Sequence, residues 1–352
     1  MPSSNPGQAP SSGPPYLPTT ASPGGLPTPI PDDAVSGVLL LFFVCGAAFH
    51  MTTFQINRRR GHKFIFSVLL FGFCMARIAA LTMRIVWASY PTNVNVAIAA
   101  NIFVAAGVLL LFIVNLLFTQ RMVRAYHPNF GWNRTITMAF RFLIGSVIAL
   151  LIMVIVATVH SFFTLDPDAR QKDRSVQLFA GTYLAVLAFL PIPILTIASL
   201  YPRSHPIEKF GYGSFRTKMY LVLGTATILT LGAGFRIGVN FDPRPINQPA
   251  WYHSKPAYYC FNYVIELIVV YSYGLAGFDR RFHIPDGASG PGHYSGANKS
   301  PSSTARDEED VVTDLETLKA PDNQRDRSAT LRSVDKDVTG EHQGVHDGSE
   351  KH

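Results

Sequence analysis

Residues 34–56 read AVSGVLLLFFVCGAAFHMTTFQI, residues 57–63 read NRRRGHK, and residues 64–87 read FIFSVLLFGFCMARIAALTMRIVW. Two long apolar runs flank a short loop that holds Arg58, Arg59, Arg60 and Lys63. A helix rising ~1.5 Å per residue needs about 20 apolar residues to cross ~30 Å of hydrocarbon. Both runs are that long, and neither alternates as the strand of a membrane barrel does. The pattern continues at 94–119, 137–162, 176–200, 218–239 and 257–278. The fold class expected is all-α, a seven-transmembrane-helix bundle.

Orientation follows from Lys and Arg in the short loops, which are enriched on the cytosolic side. The first loop carries four bases, and the second, 88–93, carries none. Arg121, Arg124 and Arg134 fall in the third. In the fourth, Arg170, Lys172 and Arg174 are balanced by Asp166, Asp168 and Asp173. The fifth has Arg203, Lys209, Arg216 and Lys218 against Glu208, the sixth has Asp242, Arg244 and Lys255, and Arg280-Arg281 follows the last span. Basic odd loops and near-neutral even loops place the N-terminus outside and the C-terminus in the cytosol. The sequons at Asn133 and Asn298 then lie on the cytosolic side and are expected to stay unmodified.

Of 352 residues only 15% are charged, against about a quarter in soluble domains. The net charge of +7 divides into +13 over residues 1–284 and −6 over residues 285–352. The bases sit beside apolar spans, so the balance points to a bilayer and not to nucleic acid. Three domains are expected: a Pro/Ser-rich disordered extracytoplasmic segment at 1–33, the membrane domain at 34–284, and an acidic disordered cytosolic tail at 285–352. The leader has ten prolines and no charge before Asp32, and it lacks the basic start of a signal peptide. In the tail, the acidic run 306–310 follows Ser302, Ser303 and Thr304. This suits phosphorylation or a trafficking adaptor, and 311–318 suits a helical turn on a partner. Cys45, Cys74 and Cys260 all fall inside spans, so no structural disulfide is expected.

Ionisable groups inside a span are costly and usually face the bundle interior. Here they are Arg77 and Arg84 on span 2, Arg236 on span 6 and Glu266 on span 7, with Asn101 on span 3. Opposite span directions put Glu266 at about the level of Arg77. The expectation is a Glu266–Arg77 ion pair beneath an outward-facing polar pocket that contains Arg84, Arg236 and Asn101. Three arginines to one glutamate would favour an anionic lipid or small-molecule ligand, since guanidinium binds such groups two-pronged. The plainer alternative is a pair that only fixes helix register, with arginines reaching to headgroups. His50 and His160 lie at different depths and cannot hold one ion, and no HExxH or GxSxG motif occurs. No enzyme activity, catalytic residue, metal or cofactor is expected. Pro191 and Pro193 should bend span 5, and Gly224, Gly232 and Gly234 give span 6 a thin face.

The stretch His50–Lys63, HMTTFQINRRRGHK, continued by Phe71–Arg77, FGFCMAR, resembles a fungal family of uncharacterised seven-span membrane proteins, sometimes labelled receptor-like. Gly232-Ala-Gly-Phe-Arg236 and the basic loop at 121–128 are similar to the same family. The resemblance covers about residues 34–284. It implies a multi-pass membrane location and brings no activity or site residue. A looser similarity is to fungal lipid-translocating exporters. Rhodopsin-like receptor motifs are absent: span 3 ends Thr119-Gln-Arg-Met122, and span 7 has Val270-Tyr-Ser-Tyr273.

Three functions fit. The first is a receptor-like sensor of an extracellular or membrane ligand, signalling through the basic inner loops to a cytosolic signalling or trafficking protein. The second is a transporter or lipid/amphiphile translocator. The third is a structural membrane scaffold. Either the plasma membrane or an endomembrane would serve.

Overall fold

The computed structural model describes residues 13–16, 20–62, 64–203, 206–285 and 287–295. The acidic run, the 311–318 stretch, Asn298 and residues 1–12 and 17–19 of the leader lie outside the described residues, so the disorder expected of those segments is not addressed. Among the described residues the chain is helical, with one isolated bridge between Thr20 and Pro245.

Among the described residues six helices are long and apolar enough to cross a membrane, and the protein is read as multi-pass. The first is α1, Ala34–Arg59, entered through a π-helical turn at Pro29–Asp33. Next come α2, Ile65–Ser89, and α3, Val94–Tyr126, followed by the short α4, Pro128–Gly131. The fourth crossing is α5, Arg134–Phe163; the fifth joins α6, Pro167–Phe189, to α7, Pro191–Leu200; the sixth is α8, Phe215–Phe241. The region expected as a seventh span is helical but in three pieces: α9, Lys255–Tyr259, a π-helical turn at Cys260–Val264, and α10, Ile265–Leu275. No single piece there is membrane-length. A final turn, α11, is Phe278–Arg281.

Several boundaries differ from the sequence reading, for local reasons. Arg121 and Arg124, expected in a loop, belong to the last turns of α3. α6 starts at Pro167, not near Val176. Asp166 caps it by accepting from the Asp168 amide, and Pro167 occupies the first turn, where its missing N–H is no loss. Arg170, Lys172, Asp173 and Arg174 are therefore helical. Side chains of Asn93, Asn133, Ser214 and Ser254 cap α3, α5, α8 and α9 in the same way. The helix breaks at Leu190, where Pro191 and Pro193 remove donors. Of the three span-6 glycines, Gly232 alone makes a close approach, to Phe261 O and Ile265; Gly224 and Gly234 face open space.

Packing distinguishes an inner from an outer surface. α3 is the central helix, with Val108, Leu111, Val114 and Phe118 buried, and it packs against α2, α5, α7 and α8. α5 is peripheral: Phe140, Val147, Leu150 and Ala157, spaced by seven and three, are its only buried positions. This is one narrow stripe turned to the bundle. Phe142 is 70% exposed, Leu200 78% and Leu275 83%. Large apolar side chains so exposed along several helices suit a lipid environment.

Loops gather at two ends. At one end, Asn57 bonds Asp279, Arg121 donates to Phe282 O, Tyr212 N donates to Arg280 O, and Glu208 N donates to Ala125 O. At the other, Tyr16 N donates to Phe162 O, Ala21 N to Arg244 O, and Arg84 to Gly24 O. The packed unit also reaches past the expected boundary at 284. Gly292 N donates to Glu208 at 2.6 Å, and the buried Tyr294 stacks edge-on with Trp132. Burial raises the Tyr294 hydroxyl pKa above its ordinary value.

Candidate functional site

α2 carries Arg77 and α10 carries Glu266, both with no side-chain exposure. Arg77 Nε donates to Glu266 Oε2 at 2.6 Å and Nη2 donates to Oε1 at 2.8 Å. The planar fork meets the carboxylate two-pronged. Nη1 turns the other way, to the main-chain carbonyl of Val104 on α3 at 2.8 Å. Gly107 leaves room for this approach: a Cβ there would make a tight 3.2 Å contact with Arg77 Cζ. The rings of Phe73 and Tyr263 complete the enclosure, with centroids 5.3 and 5.5 Å from Cζ.

Arg236 on α8 is the second cation. Its Nη1 donates to Glu266 Oε1 at 3.0 Å and lies 3.5 Å from Asn262 Oδ1. The side chain keeps 21% exposure, yet Nη2 is buried with no partner. Asn262 and Tyr263 come from the π-helical turn, whose extra residue re-registers the side chains before Glu266. Such turns recur at functional sites.

Arg84, two helical turns beyond Arg77, does not join Glu266. It donates to Asp32 Oδ1 at 3.1 Å, Gly24 O at 2.8 Å and Gly25 O at 3.2 Å, and stacks on Tyr258 at 4.7 Å. Asp32 is fully buried, though the sequence reading left it in the disordered leader. Its carboxylate also accepts from Tyr259 at 2.7 Å and Thr28 N at 2.9 Å, and pairs with Lys255 Nζ at 2.5 Å. Gly24 lies on the Tyr258 ring with φ +76°, and a Cβ would fall 2.6 Å from Cγ. Residues 20–33 thus form a strap anchored at Gly24 and Asp32.

The structure therefore replaces one outward-facing pocket with two clusters. Each has two cations and one carboxylate: Arg77, Arg236 and Glu266 in the bundle, and Arg84, Lys255 and Asp32 under the strap. Hydroxyls connect them, since Tyr258 and Tyr263 share a hydrogen bond of 3.1 Å. Asn101 is exposed on α3 and bonds none of these groups, because the cluster faces the α2, α8 and α10 side of the bundle. Sequence reasoning missed Asp32, Lys255, Asn262 and the three tyrosines. The available signal was the uncompensated charge of three intramembrane arginines, which demanded a second acid. His50 is buried between the rings of Phe49 and Phe278, while His160 bonds Asp173 at 2.7 Å, so the two histidines serve separate neighbourhoods.

Chemically, neither carboxylate is free. Glu266 accepts three charged hydrogen bonds and Asp32 is held from four sides. The arrangement presents cationic seats for anions that are already filled by the protein's own acids.

A family model described as "Protein of unknown function (DUF3112)" matches residues 214–283. The match spans α8 to α11 and so includes Arg236 and Glu266, but not Arg77 or the strap. No curated protein and no solved structure matches the chain.

Proposed function

We propose that the protein is a receptor-like integral membrane protein with seven crossings, its N-terminus outside, in which the strap acts as an internal ligand. The grouping of loops at two ends supports the seven crossings, with Lys255–Leu275 as the last. Arg58, Arg59, Arg60, Arg203 and Arg216 are exposed at the end opposite the strap, which supports a cytosolic assignment for that end.

One observation carries the reading: Asp32 and the Gly24 and Gly25 carbonyls occupy Arg84 in the way an external carboxylate or phosphate would. Lys255, paired with the other Asp32 oxygen, is 27% exposed, so an anion can meet this cation from outside and compete for it. Binding there competes with Asp32, releases the strap, and passes through Tyr258 and Tyr263 to the cluster that ties α2, α3, α8 and α10. A ligand can shift such an equilibrium only by its preference for the opened form.

The test is nucleotide exchange on heterotrimeric G proteins co-expressed with the full chain. Asp32→Asn should raise ligand-independent exchange several-fold, and Lys255→Met less. Unchanged exchange together with net amphiphile flux into reconstituted vesicles would replace this reading with a translocator. The complete satisfaction of Glu266 favours one further reading, a scaffold held by a buried clasp. That reading holds if both variants leave exchange, flux and strap contacts unchanged.

A further inference from the structure

A groove of about 610 Å³ opens between the end of α3, α4 and α7. Its size falls within the ~300–1,000 Å³ usual for small-molecule sites. Val123, Phe130, Ile194, Ile197 and Ala198 make its walls apolar, with Tyr126 toward the rim. The α7 wall follows the break at Leu190, and α7 packs on α3. His127, the polar ring in the lining, is engaged: its Nε2 bonds Ala198 O at 2.9 Å. It therefore ties α7 across the groove and offers little to a polar occupant.

Charge enters at one place. Arg203 is exposed, its guanidinium stands 5.1 Å from the Tyr126 ring, and among the described residues it has no acidic partner. The two arginines on the last turns of α3 are committed elsewhere: Arg121 to Phe282 O, Arg124 to Gly131 O and Thr137. The groove lies where two membrane-length helices end, and in a bilayer helix ends lie toward the headgroups. An apolar slot with an exposed guanidinium over one of its lining rings matches an amphiphile with an anionic head and not a soluble metabolite.

We infer that this groove is a site for an anionic phospholipid from the bilayer, its acyl chain along Ile194 and Ile197 and its phosphate at Arg203. The site is separate from the Arg84 and Glu266 clusters, and it stands or falls independently of the receptor reading.

Native mass spectrometry of the full chain, released from nanodiscs and titrated with phosphatidylglycerol or phosphatidylcholine, tests it. Wild type should bind phosphatidylglycerol saturably and about tenfold tighter than phosphatidylcholine. Arg203→Gln should erase that preference while keeping weak binding of both lipids. Ile194→Trp, which fills the slot from the α7 side, should remove saturable binding. Unchanged melting temperatures would show that both variants are folded; should Ile194→Trp misfold, Ala198→Leu replaces it. No headgroup preference in wild type, preference retained in Arg203→Gln, or displacement of phosphatidylglycerol by equimolar oleate would each overturn the assignment.

Discussion

The bundle cluster and the strap cluster have the same arithmetic, two cations on one carboxylate, but different construction. Arg77, Arg236 and Glu266 project from long helices, and Arg77 and Glu266 are wholly enclosed. Asp32 comes from the turn that precedes α1, and its partner Lys255 is partly exposed at the start of α9. A charge fixed on packed helices can leave its partner only if the bundle opens. A charge on a strap can leave while the helices stay packed. The difference is that between a clasp and, on the reading proposed above, a latch: Arg77 and Glu266 tie packed helices to each other, whereas Asp32 ties down the segment before α1.

The largest effect should come from breaking the clasp. Glu266→Gln leaves two guanidinium groups without a counter-charge in a low-dielectric interior, a loss of about 3–5 kcal/mol. Thermal unfolding in detergent should show a large drop in melting temperature. Arg77→Gln combined with Glu266→Gln should lose less than the sum of the single changes. An additive double variant would mean that the pair contributes nothing as a pair.

Asp32→Asn should be milder, about 1–3 kcal/mol for a charged hydrogen-bond partner made neutral. It should also add a property that wild type lacks. With the internal carboxylate neutralised, millimolar inorganic phosphate should raise the melting temperature of the variant and leave wild type unchanged. Equal responses in both would remove the idea that Asp32 fills an anion seat.

Gly24→Ala tests the strap's fit alone. The added Cβ would strike the Tyr258 ring, and the left-handed backbone adds about 1–2 kcal/mol of strain for an L side chain. Proteolysis within residues 20–33 should accelerate while the helices stay resistant. Smallest is Tyr258→Phe, which removes the 3.1 Å link to Tyr263, at about 0.5–1.5 kcal/mol. Its value lies in coupling. Combined with Asp32→Asn, it should reduce any G-protein response of that variant while adding little instability. A response undiminished by Tyr258→Phe would mean the clusters do not communicate through the tyrosines.

Much of the fold could be read along the chain. Apolar runs of membrane length gave the helices, and opposite span directions put Arg77 and Glu266 at one depth, where they meet at 2.6 Å. Helix ends were less legible, because caps such as Asp166 and the stretch Arg121–Tyr126 extend helices through charged residues that a hydropathy window ends on. The region expected as the seventh span was read as one helix. Its π-helical turn at Cys260–Val264 leaves no mark in composition, yet it decides where Asn262 and Tyr263 point. The site was half legible. Intramembrane charges announce themselves, whereas Asp32 sits in a proline-rich stretch that composition assigns to disorder. Only its place in three dimensions, under Tyr259 and beside Arg84, shows it to be part of the protein's interior.

Hydrogen–deuterium exchange on the purified full chain tests the distinction between latch and clasp most directly. The account predicts that amides of 24–33 exchange at least about tenfold faster than those of 262–270. It also predicts that Asp32→Asn speeds only the first group, while Glu266→Gln speeds both. Equal protection of the two segments, or faster exchange at 262–270 in Asp32→Asn, would contradict it, because the strap would then be as much a part of the bundle as the helices it covers.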